Sequence, residues 1–398
     1  MKRYFSLSIL TLAFGLLVFC ILSQGMADVD AATNHSEMSL YGFLATMPEM
    51  SNSAVSPHAV KWLAAMLYAG ADNQTANELK VGFRFEDDPE QVARRLKEVT
   101  ADTQSLRIAN GMWTAKQLDL KADFHKSMKN DFGAYLAVCD FENEPETALC
   151  GINKWIGEQT GGKIDSLFDR LRSDTQLVLV NTIHFQSNWL YPFDSKQTKH
   201  REFTRLDGQK TELDMMQKQL RCAYGENENV LCMELPYSQG NLAMLFILPK
   251  NAADWQKVET FMSEKTINGW RMSMAGEEVD CMIPKMDLTA SFDLRDVFAN
   301  LGIESPFSAQ EADFTKMSNH DLFVSCAIQN VRVEVDETGT VASAATGAVI
   351  VPKSLPLAMP ERKQFYANRP FWFIIRNTET GTIFFLGRFV GSAVPPLN

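Results

Sequence analysis

The sequence predicts an α+β fold with large, mainly antiparallel sheets. Three observations carry that prediction. Apolar spacing and capping residues in the first third of the 398 residues are patterned for helices. The last two thirds hold continuous apolar or aromatic runs of strand length. Near the C-terminal end, Val331, Val333 and Val335 alternate with Arg332, Glu334 and Asp336, which marks a strand with one apolar and one polar face. That strand runs into Gly, Thr, Ala and Ser residues, with one valine, Val341, and no larger side chain from Gly339 to Ala348. A stretch so small can exist as a loop, or lie between two strands without a steric clash. Just beyond it stand a single cationic residue, Lys353, and Ser354.

Each element has its own signal. Ser56 followed by Pro57 opens a helix, a capping serine with proline in the first turn. Val60 to Leu67 is apolar almost all round, so this helix is expected to be buried, with Gly70 at its end. Thr75 and Glu78 have capping-box spacing and are expected to start the next helix. Pro89 introduces another, which carries the basic cluster Arg94, Arg95 and Lys97. Ile152, Trp155 and Ile156 mark an amphipathic helix. Leu177 to Val180 and Leu242 to Leu248 read as strands buried on both faces. Phe371 to Ile375 and Ile383 to Phe389 are aromatic-rich strands joined through Asn377 to Gly381 as a hairpin.

The N-terminus has the three parts of a secretory leader. Lys2 and Arg3 precede an apolar run from Tyr4 to Leu22, and Gly25-Met26-Ala27 offers a small-x-small cleavage site. Cleavage there would leave residues 28–398 as a single secreted domain. Loss of Lys2 and Arg3 would take the formal charge from −11 to −13. No later segment is long and apolar enough to span a bilayer. An acidic chain of this kind is a poor nucleic-acid binder. The Arg94-Arg95-Lys97 cluster reads first as a solvated helix face and only weakly as a polyanion site.

Six cysteines follow the leader. Cys222 and Cys232 flank the turn Gly225-Glu226-Asn227, where either a cross-strand bridge or two buried thiols fits. No CxxC spacing suggests zinc or redox chemistry. Asn34 and Asn73 head N-x-S/T glycosylation acceptors. Several catalytic patterns fail. Gly157, Gly162 and Lys163 imitate a phosphate-binding loop, but Ile164 replaces the magnesium-binding hydroxyl and helix precedes it. His58, His125 and His184 are scattered, with no nucleophile signature beside them. No catalytic residue, metal or cofactor is expected.

Several segments, in order, resemble the serpin family. They are SPHAVKWLAAMLYAGADNQTANEL, LRIANGMW, INKWIGEQTGGKI, LVNTIHFQSNWLYPF, MELPY with MLFILP, the hinge DETGTVASAAT, and RPFWFIIRNTETGTIFFLGRFV. The resemblance covers nearly all of the sequence after the leader. It implies three β-sheets, including a large central one, eight or nine helices, and an exposed reactive-centre loop at about 337–362. It also implies suicide inhibition of a serine protease. The protease attacks the loop, an acyl-enzyme forms, and the freed hinge inserts into the central sheet. Glu337, Gly339, Thr340, Ala342, Ser343, Ala344, Ala345 and Thr346 match the family's hinge. Thr340, Ala342, Ala344 and Thr346 share one strand face, and all are small. Counting as the family does from the hinge, Lys353-Ser354 is the attacked bond, which suits an extracellular trypsin-like protease. Ser56, Asn181, Gln329 and Trp189 fall in the family's shutter and breach regions. The partner is expected to be that protease, held covalently by a monomer, with no nucleic acid or membrane involved.

Some positions depart from the family pattern. Gln329 replaces a frequent histidine, and Ala59 a frequent serine. The segment from Lys353 to Phe371 is longer than in many relatives, so Met359 and Arg362 are further candidates for the attacked residue. The alternative is a non-inhibitory carrier or storage serpin, or a simple protease substrate. Bulky, charged or proline residues in the hinge would mark such a carrier, and Gly339 to Ala348 has none.

Overall fold

A computed structural model describes residues 51–101, 105–162, 169–262, 264–340 and 362–391. The elements run β1 (Ser53–Val55), α1 (Pro57–Gly70), α2 (Asn73–Gly82), α3 (Pro89–Ala101), β2 (Leu106–Ala115), α4 (Ala122–Asn130), β3 (Tyr135–Cys139), α5 (Pro145–Gln159), β4 (Leu177–Phe185) and β5 (Ser187–Asn188). They continue with β6 (Lys199–Thr204), β7 (Lys210–Glu226), β8 (Val230–Pro236), β9 (Leu242–Pro249), α6 (Trp255–Phe261), α7 (Glu264–Met272), β10 (Ala275–Pro284), β11 (Met286–Asp293), α8 (Arg295–Asn300) and β12 (Val324–Val335). The last are β13 (Gly339–Thr340), β14 (Lys363–Tyr366), β15 (Phe371–Asn377) and β16 (Ile383–Phe389). Eight α-helices thus lie among the described residues, within the expected number.

Two continuous ladders hold the strands. The first has nine strands in the order β1-β16-β15-β9-β8-β7-β10-β14, with β6 on β7. The expected second and third sheets are both here. The 17-residue β7 joins them, pairing with β10 and β6 along most of its length and with β8 at its C-terminal end. The second ladder is the central sheet. Its long strands run β3-β2-β4-β12-β11, with β13 and β5 at one end.

The helix ends show what local sequence controls. The Ser56 hydroxyl accepts from the Ala59 amide at 3.2 Å and caps α1, as its spacing predicts. The capping-box expectation for Thr75 and Glu78 does not hold. Asp72 caps α2 instead, accepting from the Asn73 amide, so the helix starts earlier. Thr75 and Glu78 are then one turn inside and serve a tertiary contact. The Thr75 hydroxyl accepts from the Asp313 amide, and the Glu78 carboxylate accepts from the Glu304 and Ser305 amides. These bonds tie α2 to a loop more than 200 residues away. The predicted hairpin forms, with Asn377 Oδ1 accepting from the Glu379 and Thr380 amides in its turn.

Apolar side chains form two clusters. One includes Val60, Leu63, Trp113, Ile152, Ile156, Val178 and Val180, and so joins α1 and α5 to the central sheet. The other packs Ile183, Phe185, Val331, Val333 and Val335 against Met244, Phe246, Phe371 and Phe373 of the nine-stranded ladder. The alternation of Val331, Val333 and Val335 read from the sequence is the side of β12 that meets this second cluster.

Candidate functional site: a hinge seated above a closed seam

The site is the seam between β4 and β12. These strands pair directly and in parallel, from Leu177 opposite Val324 to His184 opposite Arg332. No strand lies between them. Parallel neighbours with an open hydrogen-bonding choice on each edge can accept an antiparallel strand between them.

A polar bridge holds the middle of the seam. Gln329 Oε1 accepts from the Ser56 amide at 2.8 Å. Its Nε2 donates to the Ser56 carbonyl at 3.0 Å and to Asn181 Oδ1 at 3.2 Å. Asn181 Nδ2 passes the chain on to Asn110 Oδ1 of β2 at 2.7 Å. Gln329 and Asn181 are fully buried. One amide therefore ties β12 to β4 and to the start of α1. Ser56, Asn181 and Gln329 were expected together, and the structure brings them together. Asn110 was missed, although a lone asparagine inside the apolar strand LRIANGMW was its signal.

The mouth of the seam is occupied by the hinge. Gly339 and Thr340 form β13, antiparallel to β5 on one side and to the end of β12 on the other. Gly339 sits opposite Asn188, and Thr340 opposite both Ser187 and Val335. The first hinge residues are thus already in the sheet. A Cβ at Gly339 would collide with the Ser187 carbonyl and lie 2.5 Å from Asn188 Cα. Close approach to β5, rather than a bend, is what requires glycine here. Thr340 is completely buried, and its hydroxyl lies 2.9 Å from the Tyr237 hydroxyl. Burial pushes the Tyr237 phenol far above its ordinary pKa, so it stays neutral there.

Trp189 closes this end. Its ring stacks on Tyr237 at 4.5 Å. Its indole N–H donates to the Asp336 carbonyl, and its amide to the Thr338 carbonyl. Asp336 Oδ1 accepts from the amides of Thr338 and Gly339 and so shapes the turn into β13. Glu337 is anchored by Lys285 at 3.0 Å and by the Thr198 hydroxyl at 2.7 Å. Burial pushes the Glu337 carboxyl up, but the hydrogen bonds from Thr198 and Lys285 outweigh it and leave its pKa below the usual value. Tyr237, Lys285 and Thr198 carried no sequence signal for this role. They come from three separate segments, and only folding assembles them.

Other expected residues divide as follows. Ala342, Ser343, Ala344, Ala345, Thr346, Lys353 and Ser354 lie outside the described residues, as do Met359, Asn34 and the leader. Arg362 is described and does not suit a loop-tip role: its guanidinium donates to Gln219, and the next residue, Lys363, starts β14 and pairs with Glu226. Asn73 is exposed, with its amide nitrogen donating to Asp313. The six cysteines are free. Cys232 stands opposite Gly225, three residues from Cys222, so the two thiols belong to opposite faces and different apolar clusters and the bridge does not form. Burial pushes both thiols up to about 12. Gly157 lies within α5, and Gly161 and Gly162 follow it in left-handed backbone, while Lys163 and Ile164 lie outside the described residues. Arg95 pairs with Asp87, and Lys97 donates to the Asn130 carbonyl.

The central sheet is closed at the β4–β12 seam, with the hinge seated at its mouth and a polar bridge across its middle. A family model described as serpin (serine protease inhibitor) matches residues 31–391. The chain belongs to the serpin family. It is 33% identical over 382 residues to the leukocyte elastase inhibitor of Equus caballus, covering 92% of this chain and 99% of the relative. It is 32% identical over 396 residues to Iripin-2 of Ixodes ricinus, covering 96% and 98%. Among solved structures, native protease nexin-1 with heparin superposes with a TM-score of 0.81 at 24% identity. That match covers 92% of this chain and 100% of the other, and it shows the shared fold.

Proposed function

We infer that this serpin is a secreted suicide inhibitor of serine proteases that cleave after lysine or arginine, with Lys353-Ser354 as the attacked bond. The observation that carries the reading is β13. Two hinge residues are already paired, in register, at the mouth of a seam that no other strand fills. If the freed arm inserts and keeps that antiparallel register, Thr346 would arrive between Gln329 and Asn181. The inserting arm must therefore break the bridge between those two side chains, and a small hydroxyl residue arrives where they part. The face shared by Thr340, Ala342, Ala344 and Thr346 would turn toward the second apolar cluster, and none of the four is large enough to obstruct it.

Cleavage supplies the length that insertion needs. While the loop is joined at both ends, β14 holds its far side and the arm cannot enter fully. A protease that attacks Lys353 frees the arm while remaining esterified to it. Insertion then drags the enzyme away from the geometry that deacylation needs, and a displacement of about 1 Å already costs ~100-fold. The uninserted state persists behind a kinetic barrier. Export is supported by the leader-like residues 1–27, and glycosylation at Asn34 or Asn73 would follow from it. The small hinge residues favour this reading over a carrier or storage role.

A second specificity is favoured by the names of relatives that are elastase inhibitors. An elastase prefers small apolar residues, and Val349, Ile350 and Val351 precede Lys353. The deciding experiment incubates the protein separately with trypsin and with an elastase. Denaturing gels detect covalent complex, and mass spectrometry identifies the released C-terminal peptide. A complex with trypsin and a peptide starting at Ser354 are expected. A peptide starting earlier, trapped by elastase alone, would move the bond. Cleavage with no covalent complex by either enzyme would leave a substrate and overturn the inhibitory reading.

A further inference from the structure

The outermost strands of the two ladders differ in one respect. β11 carries Asp287 and Asp293, β14 carries Lys363, and β6 carries Lys199, Arg201 and Glu202. β1 is short and buried, and β5 is two residues long. β3 is different. It ends the central sheet with Tyr135-Leu136-Ala137-Val138-Cys139, and among the described residues its one partner is β2, in parallel. A charge on an edge strand blocks pairing with another chain, and an apolar edge without one invites it. Six large hydrophobic side chains are exposed among the described residues. Two of them, Tyr135 at 48% and Val138 at 66%, belong to this one strand. Tyr135 is nonetheless firmly placed, because its ring stacks on Trp155 of α5 with 5.9 Å between centroids.

A second copy of the same strand is complementary to this edge. In an antiparallel pair centred on Ala137, Tyr135 of each copy falls opposite Cys139 of the other, and Leu136 opposite Val138. Each row then sets a larger side chain against a smaller one, and no like charges meet. The flanks add charge complementarity. Before β3 stand the exposed Lys126 and Lys129, with one acid, Asp131. After it come Asp140, which pairs with Lys116, and the exposed Glu142 and Glu144. Antiparallel pairing brings the basic flank of one copy toward the acidic flank of the other, twice over by symmetry.

We propose that β3 is a dimerisation edge, through which two copies of this chain join by antiparallel β3–β3 pairing about a two-fold axis at Ala137. The two central sheets then form one continuous sheet. β2 separates β3 from β4, so the β4–β12 seam stays clear in each copy. The proposal is therefore independent of whether the reactive arm inserts. A pair of five-residue strands is a small contact, so association is weak and the monomer implied by the family resemblance is the dilute form.

The test is sedimentation velocity over a concentration series for the unaltered protein, Val138→Lys and Val138→Thr. Reducing buffer keeps the exposed Cys150 from linking copies. Val138 is largely exposed, so both variants are expected to fold and to melt with the unaltered protein. A monomer–dimer equilibrium is expected for the unaltered protein and for Val138→Thr. Val138→Lys puts a charge on the edge of both copies and is expected to raise the dissociation constant at least about 100-fold. Hydrogen exchange on dilute and concentrated samples locates the contact, with added protection at high concentration confined to residues 135–139. A protein that stays monomeric at every concentration overturns the proposal. So does a dimer that tolerates Val138→Lys and leaves β3 exchange unchanged, because it uses another surface. If every β3 amide is already protected in the dilute monomer, another segment of the same chain covers the edge, and the proposal is equally wrong.

Discussion

Thr340 shows how narrow the chemistry is at single positions. It is fully buried, and its hydroxyl meets the Tyr237 hydroxyl. An arginine there would bury an unpaired charge at a cost of several kcal/mol, on the order of the penalty for desolvating a charge. Thr340→Arg is expected to unseat β13 in the intact protein and, because insertion would have to bury the charge again, to be cleaved without leaving a covalent complex on a denaturing gel. His58 makes the contrasting case. It sits between Trp62 and Phe384, and burial, helped by the Lys61 charge, lowers its pKa from 6.5 to about 3. Between those values the unfolded chain binds a proton that the folded one refuses. Stability is therefore fully present above the unfolded value and falls as pH drops toward 3, at up to about 1.4 kcal/mol per unit. His58→Phe should flatten that part of a denaturation-versus-pH profile; an unchanged slope would show that other groups carry the acid sensitivity.

At the scale of elements, the seam between β4 and β12 is a pairing that must be stable enough to persist and weak enough to part. Gln329 sets much of that balance, because its one amide satisfies the backbone of Ser56 and the side chain of Asn181. Gln329→Ala would leave the buried Ser56 amide and Asn181 carbonyl oxygen short of partners, a loss of roughly 2 kcal/mol from the intact state. Faster conversion to inserted or self-associated species on mild heating is expected, seen as new bands on native gels. Glu337 acts at the other end of the same element pair. Its contacts with Lys285 and Thr198 hold the turn that feeds β13, so Glu337→Ala should loosen the hinge without touching the seam's centre. The two variants together should then show nearly additive effects, since their partners do not overlap.

For the whole molecule, β4 and β12 pair directly, and in the proposed mechanism the energy gained by parting them around one more strand would be the engine. An inserted arm would add on the order of ten backbone hydrogen bonds, each worth about 1 kcal/mol net. Nicking the loop with a catalytic amount of protease should raise the melting temperature by on the order of 10 °C or more. A nicked sample that melts with the intact one would mean that the arm stays out. Much of this fold was legible because its signals are local. The Ser56-Pro57 cap, the buried runs Leu177 to Val180 and Leu242 to Leu248, and the Val331-Val333-Val335 alternation each depend on neighbours a few residues away. The capping-box reading of Thr75 and Glu78 went astray for the complementary reason: the same side chains that can cap a helix can bind a loop more than 200 residues distant, and packing chose the latter.

The amino-acid sequence by itself determined the family pattern, the small-residue hinge from Gly339 to Ala348, and the placing of Ser56, Asn181 and Gln329 in one region. The hinge is a property of side-chain size, which a chain carries before it folds; the grouping of Ser56, Asn181 and Gln329 is what the resemblance to the serpin family implied. Only the tertiary structure decided that Gly339 and Thr340 already lie in the sheet, that Tyr237 meets Thr340 while Trp189, Lys285 and Thr198 hold the turn Asp336 to Thr338 before them, and that Cys222 and Cys232 face apart. Those facts depend on register between distant strands, and one residue of slip exchanges the two faces.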